Sequence, residues 1–416
     1  MLEKPTGWYY LCSQKVRMFR YFLSITLFIC FALNAVSNDS VSIKTPRFIT
    51  LNATQGHVFE TNKFVSGANK IPYYKAFSLK YGVEAKGDDW TDYAYGMPHV
   101  GIGLYIADFG RKNDFGNPFS VYLLQGARLR EFSRNLSLNY EWNLGGSFNW
   151  KHYDAFESPE NIAIGSSVNI HAGGNLFFRW RMSPKFDLHL GASFNHFSNG
   201  ASSLPNKGLN MISGFVELSY LFNREEEAID LKENFIPPPY EKHISHDIMV
   251  LISNRQARID TLGTGLSSKY FQRKFTVLGI NYSYLFSNSY RYKWGPSLEA
   301  TYDESSGIKC WGELHPETKK YVDRTKLGHF SDRLSLGISL KGEIIMPYYS
   351  LFANFGYNVI HGNKEDKRLY QILGVKFYLK ENFFGTFGIR AHNFGKAQFL
   401  YWNLGYTFDH YPKRKR

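Results

Sequence analysis

Cysteine is scarce in this sequence, and so are long apolar runs. The chain has three cysteines in 416 residues, and only Cys310 lies beyond residue 37. One cysteine excludes an intramolecular disulfide and a cysteine-based metal site in that part of the chain. A helical membrane span needs about 20 apolar residues, and no such run follows residue 37. Any membrane insertion there must therefore use strands.

Acidic residues are outnumbered by basic ones, 36 to 49, which gives a formal net charge of +13. The basic surplus is not accompanied by a basic helix, a phosphate-binding loop or an RNA-binding aromatic motif, so nucleic acid is not a predicted partner. Attraction to anionic lipopolysaccharide is the simpler interpretation.

Aromatic residues are abundant. They form 17% of the chain, with 35 Phe and 29 Tyr, and 36 Gly accompany them. This composition is typical of an antiparallel membrane barrel with an aromatic girdle, an apolar outer band and a polar interior.

The N-terminal segment is typical of a secretory signal. Basic residues up to Arg20 precede an apolar run over 21–33, and the small residues Ala35 and Ser37 follow it. This pattern predicts a signal peptide over 1–37, cleaved after Ser37, and export to the bacterial outer membrane.

Alternation of apolar and polar residues is clearest between residues 136 and 223. Even positions such as Leu188, Leu190 and Phe194 are apolar, whereas the odd positions between them are polar. Side chains on a strand alternate between its two faces. The even set is therefore predicted to face lipid and the odd set the interior. His171, Arg179, Arg181 and His189 are odd and are predicted to fill the interior.

The predicted fold is all-β, a transmembrane antiparallel β-barrel of about 16 strands, within a range of about 12 to 18. A charged, proline-rich segment at 224–242 separates a first part, 38–223, from further strands at 243–408 and a basic tail at 409–416. This segment is interpreted as a periplasmic linker or turn. A single barrel is favoured over two because nothing after residue 242 resembles a new beginning.

A possible catalytic group lies at the end of the strand that begins near residue 186. Continuing the even set places His196 and Ser198 on the outer face, and Asn210 continues the outer set of the next strand. Residues i and i+2 of a strand share a face and lie about 7 Å apart. That spacing fits a general base and a nucleophile. It fits equally a histidine and a serine that lie near the lipid headgroups and are hydrogen-bonded to the backbone of the loop.

Three features form a pattern here: the stretch His196-Phe197-Ser198-Asn199, the loop 205–208 and the position twelve residues after the serine. This pattern resembles the signature of the lipid A 3-O-deacylase family, also called acyloxyacyl hydrolases. The resemblance covers about residues 56–223. It implies an outer-membrane barrel that removes an ester-linked acyl chain from lipid A without a cofactor. By position, His196 resembles the family's base, Ser198 its nucleophile and Asn199 a candidate oxyanion donor.

Asn210 stands where the family has a glutamate, and the chain is about twice as long as the family's eight-stranded barrel. A carboxylate in a serine triad orients the imidazole and stabilises its charged form. Asp154, Glu157 and Glu160 are possible substitutes, whereas Glu217 has the parity of the interior.

Two other functions remain open, a non-catalytic barrel that binds lipopolysaccharide or serves a structural role, and a passive pore lined by interior polar residues. No metal site is predicted, because His243 and His246 are three residues apart on one strand and so lie on opposite faces. The pattern does not determine the oligomeric state.

Overall fold

A computed structural model describes residues 45–224, 238–257, 273–319, 321–362, 368–380 and 382–411. The predicted signal peptide, most of the predicted linker at 224–242 and most of the basic tail lie outside these ranges. None of the described helices has the length and apolar character needed to cross a membrane.

The first half of the described chain is a meander of long strands. Its strands are β1 (Arg47–Val58), β2 (Tyr74–Glu84), β3 (His99–Asp108), β4 (Gly116–Ser133), β5 (Leu136–Trp150), β6 (Asn169–Arg181), β7 (Phe186–Ser198) and β8 (Leu209–Phe222). Two short helices, α1 (Trp90–Ala94) and α2 (Lys112–Phe115), and two 3-10 turns, Lys63–Val65 and Gly67–Asn69, lie between strands.

This half closes into a barrel of its own. Each strand pairs antiparallel with its sequence neighbour, and β1 also pairs with β8, from Arg47 opposite Phe222 to Val58 opposite Met211. The pairing leaves no free edge, so the backbone groups of all eight strands are satisfied within the barrel.

The second half forms another barrel. Its chain order is β9 (His243–Gln256), β10 (Lys274–Ser287), β11 (Tyr292–Asp303), β12 (Lys309–Leu314), β13 (Tyr321–Lys326), the 3-10 turn Ser331–Arg333, β14 (Leu334–Ile345), β15 (Tyr349–His361), β16 (Leu369–Lys380), β17 (Phe383–His392) and β18 (Lys396–His410). Strand β9 pairs with both β10 and β18, which closes the second barrel, while β12 and β13 pair only with each other.

The all-β barrel class and the count of sixteen barrel strands in the described residues are confirmed. The preference for a single barrel is wrong, because the chain closes twice, after β8 and after β18. Closure depends on which strands pair at the seam, and alternation along one strand carries no information about that choice. Between β11 and β14, β12 and β13 form a separate two-stranded hairpin that is not part of the barrel wall.

An ion cluster occupies the interior of the first barrel. Lys80 Nζ donates to Glu141 Oε1 at 2.7 Å and also to Glu217 Oε1. His189 Nδ1 lies 2.9 Å from Glu217 Oε2, and His99 Nε2 lies 3.4 Å from Glu141 Oε2. Burying a charge is expensive unless it is paired, so each member depends on the others.

Aromatic rings fill the same interior nearer the ends of β5 and β7. Trp150 packs against Phe197 with ring centroids 5.1 Å apart and against Phe109 at 5.7 Å, and His171 stacks on Phe197 at 4.4 Å. An eight-stranded barrel has an interior just wide enough for side chains to fill. The interior of the first barrel is therefore packed, which argues against a passive pore through it.

The interior of the second barrel contains two lysines and two carboxylates, whose charges cancel. Asp247 Oδ2 lies 2.7 Å from Lys376 Nζ and 3.2 Å from Lys341 Nζ. Glu343 Oε1 lies 2.8 Å from Lys341 Nζ, and Thr407 Oγ1 donates to Asp247 Oδ1 at 2.6 Å. Both barrels thus pair buried lysine with carboxylates in the interior.

The two barrels contact each other through their outer walls. Near α1, Tyr95 Oη donates to the carbonyl oxygen of Tyr290 at 3.2 Å. Further along, Trp142 Nε1 donates to Met346 Sδ at 3.4 Å, and its ring packs edge-on against Tyr349. These contacts join the wall of the first barrel to short connections of the second.

Replacing Lys80 with Met tests the interior ion cluster. The substitution keeps most of the side-chain volume but leaves Glu141 and Glu217 without their shared cation, so we expect a loss of about 3–5 kcal/mol in the free energy of unfolding. Urea titration in detergent, read by the different gel migration of folded and boiled barrels, measures it. Lys75→Met changes an exposed lysine of the same strand and is the control. Equal midpoints for the two variants would contradict the prediction.

Candidate functional site

The end of β7 carries polar residues on the outer wall of the first barrel. Phe194 and Ile212 are 45% and 47% exposed, whereas Asn195 and Ser213 are 4% and 5% exposed. The even positions of β7 and β8 therefore face outward, as the alternation predicts. His196 belongs to this outward set.

His196, Ser198 and Asn210 form one chain of hydrogen bonds. His196 Nε2 lies 2.8 Å from Ser198 Oγ, and His196 Nδ1 lies 2.6 Å from Asn210 Oδ1. The register of β7 and β8 sets Asn210 directly opposite His196. Strand pairing thus brings together three predicted site residues. Asn210 is twelve positions after Ser198 and fourteen after His196 along the chain.

The bond to Asn210 determines which imidazole nitrogen carries the hydrogen. An amide oxygen only accepts, so Nδ1 of His196 is the donor. In the neutral ring, Nε2 is then the acceptor and presents its lone pair to the Ser198 hydroxyl. This is the tautomer that a general base needs in order to take a proton from a serine.

Asn199 is placed differently from its neighbours. Its side chain is 3% exposed, and Nδ2 donates to Ser166 Oγ at 3.0 Å and to the carbonyl oxygen of Ser203 at 2.9 Å. Both amide hydrogens are therefore used in holding the loop that follows Ser198. The side chain of Asn199 contributes to the geometry of that loop and has no further hydrogen to donate.

Gly208 packs against the imidazole from the far end of the same loop. Its φ is +73°, and a Cβ there would lie 3.0 Å from His196 Cε1 and 3.1 Å from the carbonyl oxygen of Phe197. Its amide donates to the carbonyl oxygen of Ala163 at 2.9 Å. The sequence indicated this glycine only as part of the 205–208 loop that resembles the family. Its contact with the His196 ring joins a loop to a strand, and the alternation of residues along a strand does not predict such a contact.

The proposed substitute acids have other partners. Asp154 Oδ1 accepts from the backbone amides of Phe156 at 2.8 Å and Glu157 at 3.0 Å. These two bonds, that of Glu157 first, lower the pKa of Asp154. Glu157 and Glu160 are exposed. Glu217 faces the interior as predicted, where it binds Lys80 and His189.

His243 and His246 lie on opposite faces of β9. The ring of His243 packs on Tyr411, whereas His246 stacks on Phe408 and its Nδ1 lies 2.8 Å from Tyr282 Oη. Across the part of the chain that the structure describes, no group of three or more potential metal ligands comes together.

Two protein families match this chain. Residues 75–219 match the family described as lipid A 3-O-deacylase (PagL), and residues 244–411 match the one described as acyloxyacyl hydrolase, C-terminal domain. The first match contains β2 to β7, with His196 and Ser198, and most of β8, with Asn210. The second covers nearly all of the second barrel. No curated protein matches the chain.

Several solved structures match this chain at low sequence identity. The outer membrane enzyme PagL is 13% identical, over 40% of this chain and 97% of its own, with a TM-score of 0.27. Neisserial surface protein A is 12% identical, over 42% and 96%, with a TM-score of 0.28. The siderophore receptor PirA from Acinetobacter baumannii is 8% identical, over 89% and 62%, with a TM-score of 0.22. At these scores none supports an argument about function.

Single-cysteine labelling tests the orientation of β7 and β8. In a Cys310→Ser background, a lipid-soluble thiol reagent should modify Phe194→Cys and Ile212→Cys, because both positions are on the exposed outer face. Asn195→Cys and Ser213→Cys, one residue along each strand, are the matched controls and should resist the reagent. Mass spectrometry of the labelled chain measures the extent of modification. The reverse pattern would contradict an outward site.

Proposed function

From the membership of this chain in the lipid A 3-O-deacylase and acyloxyacyl hydrolase family of bacterial outer-membrane β-barrels, we propose that it is an ester hydrolase that removes an ester-linked acyl chain from lipid A. Ser198 is the nucleophile and His196 the base. The observation that carries the proposal is the hydrogen-bonded chain Asn210–His196–Ser198 on the outer wall.

The position of these residues suits a lipid substrate. The ester of a membrane lipid lies at the boundary between headgroup and hydrocarbon, where only the outer wall of a barrel can reach it. His196 and Ser198 are at the end of β7, next to its connecting loop, with apolar Phe194 and Leu190 on the same face. An acyl chain alongside those apolar residues would bring its ester toward Ser198.

The reaction has two steps that use only Ser198, His196 and water. His196 Nε2 takes the hydroxyl proton while Ser198 Oγ attacks the ester carbonyl carbon. The bond from that carbon to the sugar oxygen breaks, and the imidazolium gives the proton to that oxygen, which leaves as a sugar hydroxyl and so yields an acyl-enzyme. Water, deprotonated by His196, then attacks the same carbon. The bond from that carbon to Ser198 Oγ breaks, and the imidazolium returns the proton to Oγ, which releases the fatty acid and restores Ser198 and His196.

Asn210 takes the position of the family's acid. Its oxygen fixes the productive tautomer of His196, but a neutral amide gives less stabilisation to the imidazolium than a carboxylate does. We therefore expect a working but slower site. Asn199 is assigned a positioning role in the loop.

A non-catalytic barrel that binds lipopolysaccharide is the second candidate, and the amide at position 210 favours it. The two candidates share a fold and a location and differ in turnover. Activity measurements on purified lipid A separate them directly.

Replacing Ser198 or His196 with Ala tests the assignment of nucleophile and base. We expect each variant to lower the deacylation rate by about 10³-fold or more, because either change removes a whole step of the covalent route. Mass spectrometry of lipid A incubated with the protein measures the loss of an acyl chain. Ser193→Ala, on the same strand but facing the interior, is the control and should stay active. If wild type and both site variants release equal fatty acid, the activity lies elsewhere.

Replacing Asn210 tests the role of the amide. Asn210→Ala removes the acceptor for Nδ1, and we expect the rate to fall by about 10- to 100-fold. Asn210→Asp keeps the shape and adds the charge that stabilises an imidazolium, so the rate should rise about tenfold. Initial rates on lipid A in mixed micelles measure both effects. A fully active Asn210→Ala variant would show that this residue does not orient His196.

A further inference from the structure

The loop that follows Ser198 is held between two barrels. On one side, within the first barrel, Lys207 and Gly208 donate to the carbonyl oxygens of Ile162 and Ala163 at 3.0 and 2.9 Å. On the other side the loop contacts residues of the second barrel. No sequence pattern indicated this second set of contacts.

Gln256, the last residue of β9, makes two hydrogen bonds to the loop. Its backbone amide donates to the carbonyl oxygen of Ala201 at 3.0 Å, and its Oε1 accepts from the backbone amide of Leu204 at 2.7 Å. On β9, Val250 and Ile252 belong to the outward face and are 49% and 62% exposed. Gln256 continues that face but is only 9% exposed, because the loop of the first barrel covers it.

Apolar side chains of the second barrel pack against the beginning of the loop. A Cβ built on Gly200 would lie 2.2 Å from Leu400 Cδ2 and 3.1 Å from Ile389 Cδ1. Gly200 has a φ of +63°. Two residues after Ser198, the backbone is thus pressed so closely against β17 and β18 that a side chain has no room.

The loop transmits these contacts to the site. Asn199 is adjacent to Ser198 and is bound through its side chain to Ser203, inside the segment that Gln256 holds. At the other end of the loop, Gly208 packs on the imidazole of His196. A shift of the loop would therefore move both the nucleophile and the wall behind the base.

We propose that the second barrel completes the site of the first, with Gln256 as a positioning residue that fixes the loop after Ser198 through its bond to Leu204. This inference rests on the proposed deacylase function. Gln256 need not touch the substrate. It acts through the loop, and the second barrel is then a required part of the enzyme rather than an added membrane anchor.

The side-chain bond can be removed without changing the backbone contact. Gln256→Leu keeps the approximate volume of the side chain and removes the acceptor for Leu204. Gln256→Glu keeps an acceptor oxygen. Asn254→Leu is the matched control, because Asn254 is on the same face of β9 two residues earlier and is exposed.

The test uses the full chain in detergent, with folding of each variant checked by gel migration before and after boiling. For Gln256→Leu we expect kcat on lipid A in mixed micelles to fall by about 10- to 100-fold, because small displacements of reacting groups cost that much. KM should change by less than about twofold, since the apolar wall beside Ser198 in the first barrel is untouched. Gln256→Glu should retain activity within about threefold, and Asn254→Leu should match wild type.

Amide hydrogen exchange supplies a readout that does not depend on turnover. In Gln256→Leu the peptide covering 199–208 should exchange faster than in wild type and in Asn254→Leu, because the amide of Leu204 has lost its acceptor. The rate of amide exchange in a peptide from β5, in the wall of the first barrel, should be unchanged. This comparison separates a loosened loop from a destabilised barrel.

The outcomes distinguish the two proposals. An active wild type whose kcat is the same in Gln256→Leu and Asn254→Leu overturns the positioning role and leaves the deacylase proposal standing. Unchanged exchange in the 199–208 peptide overturns it as well. A wild type that releases no fatty acid from lipid A, while the loop still loosens in Gln256→Leu, overturns the deacylase proposal and with it a catalytic role for Gln256.

Discussion

Every backbone amide and carbonyl that lies in hydrocarbon must be hydrogen-bonded within the protein, and the rest of this structure depends on that constraint. It requires each sheet to close, which the chain does once by pairing β1 with β8 and again by pairing β9 with β18. Closure at eight strands sets a narrow interior. The interior then has room for paired lysines and carboxylates and for stacked rings, and the apolar residues are left for the outer wall.

The candidate site is a place where polar residues interrupt the apolar outer wall. His196, Ser198 and Asn210 face outward among apolar neighbours, and His196 is hydrogen-bonded to both of the others. Pairing lowers the cost of placing polar groups there. The same bonds also select the imidazole tautomer that a general base requires. The hydrogen bonds that stabilise these residues on the wall are therefore the same ones that the proposed reaction uses.

Much of this was predictable from the sequence because it depends on short-range periodicity. Alternation along β7 and β8 predicted which residues face outward, and it placed His196 and Asn210 on one wall before their contact was known. The number of barrels was not predictable in this way, since the seam joins Arg47 to Phe222. Gln256 was missed for the same reason. Its contact with Leu204 depends on how two closed walls meet, and no pattern within either strand encodes that.

Each barrel has an even number of strands, so the chain leaves it at the end where it entered. Phe222, at the end of β8, lies opposite Arg47, at the start of β1, and His243 opens β9 opposite Ser287 at the end of β10. The contact between Tyr95 and Tyr290 joins the corresponding ends of the two barrels. The end of β8 and the start of β9 therefore lie on the same side of the membrane. A chain that enters and leaves a barrel at the same end can continue into a second whole barrel without an extra crossing of the membrane.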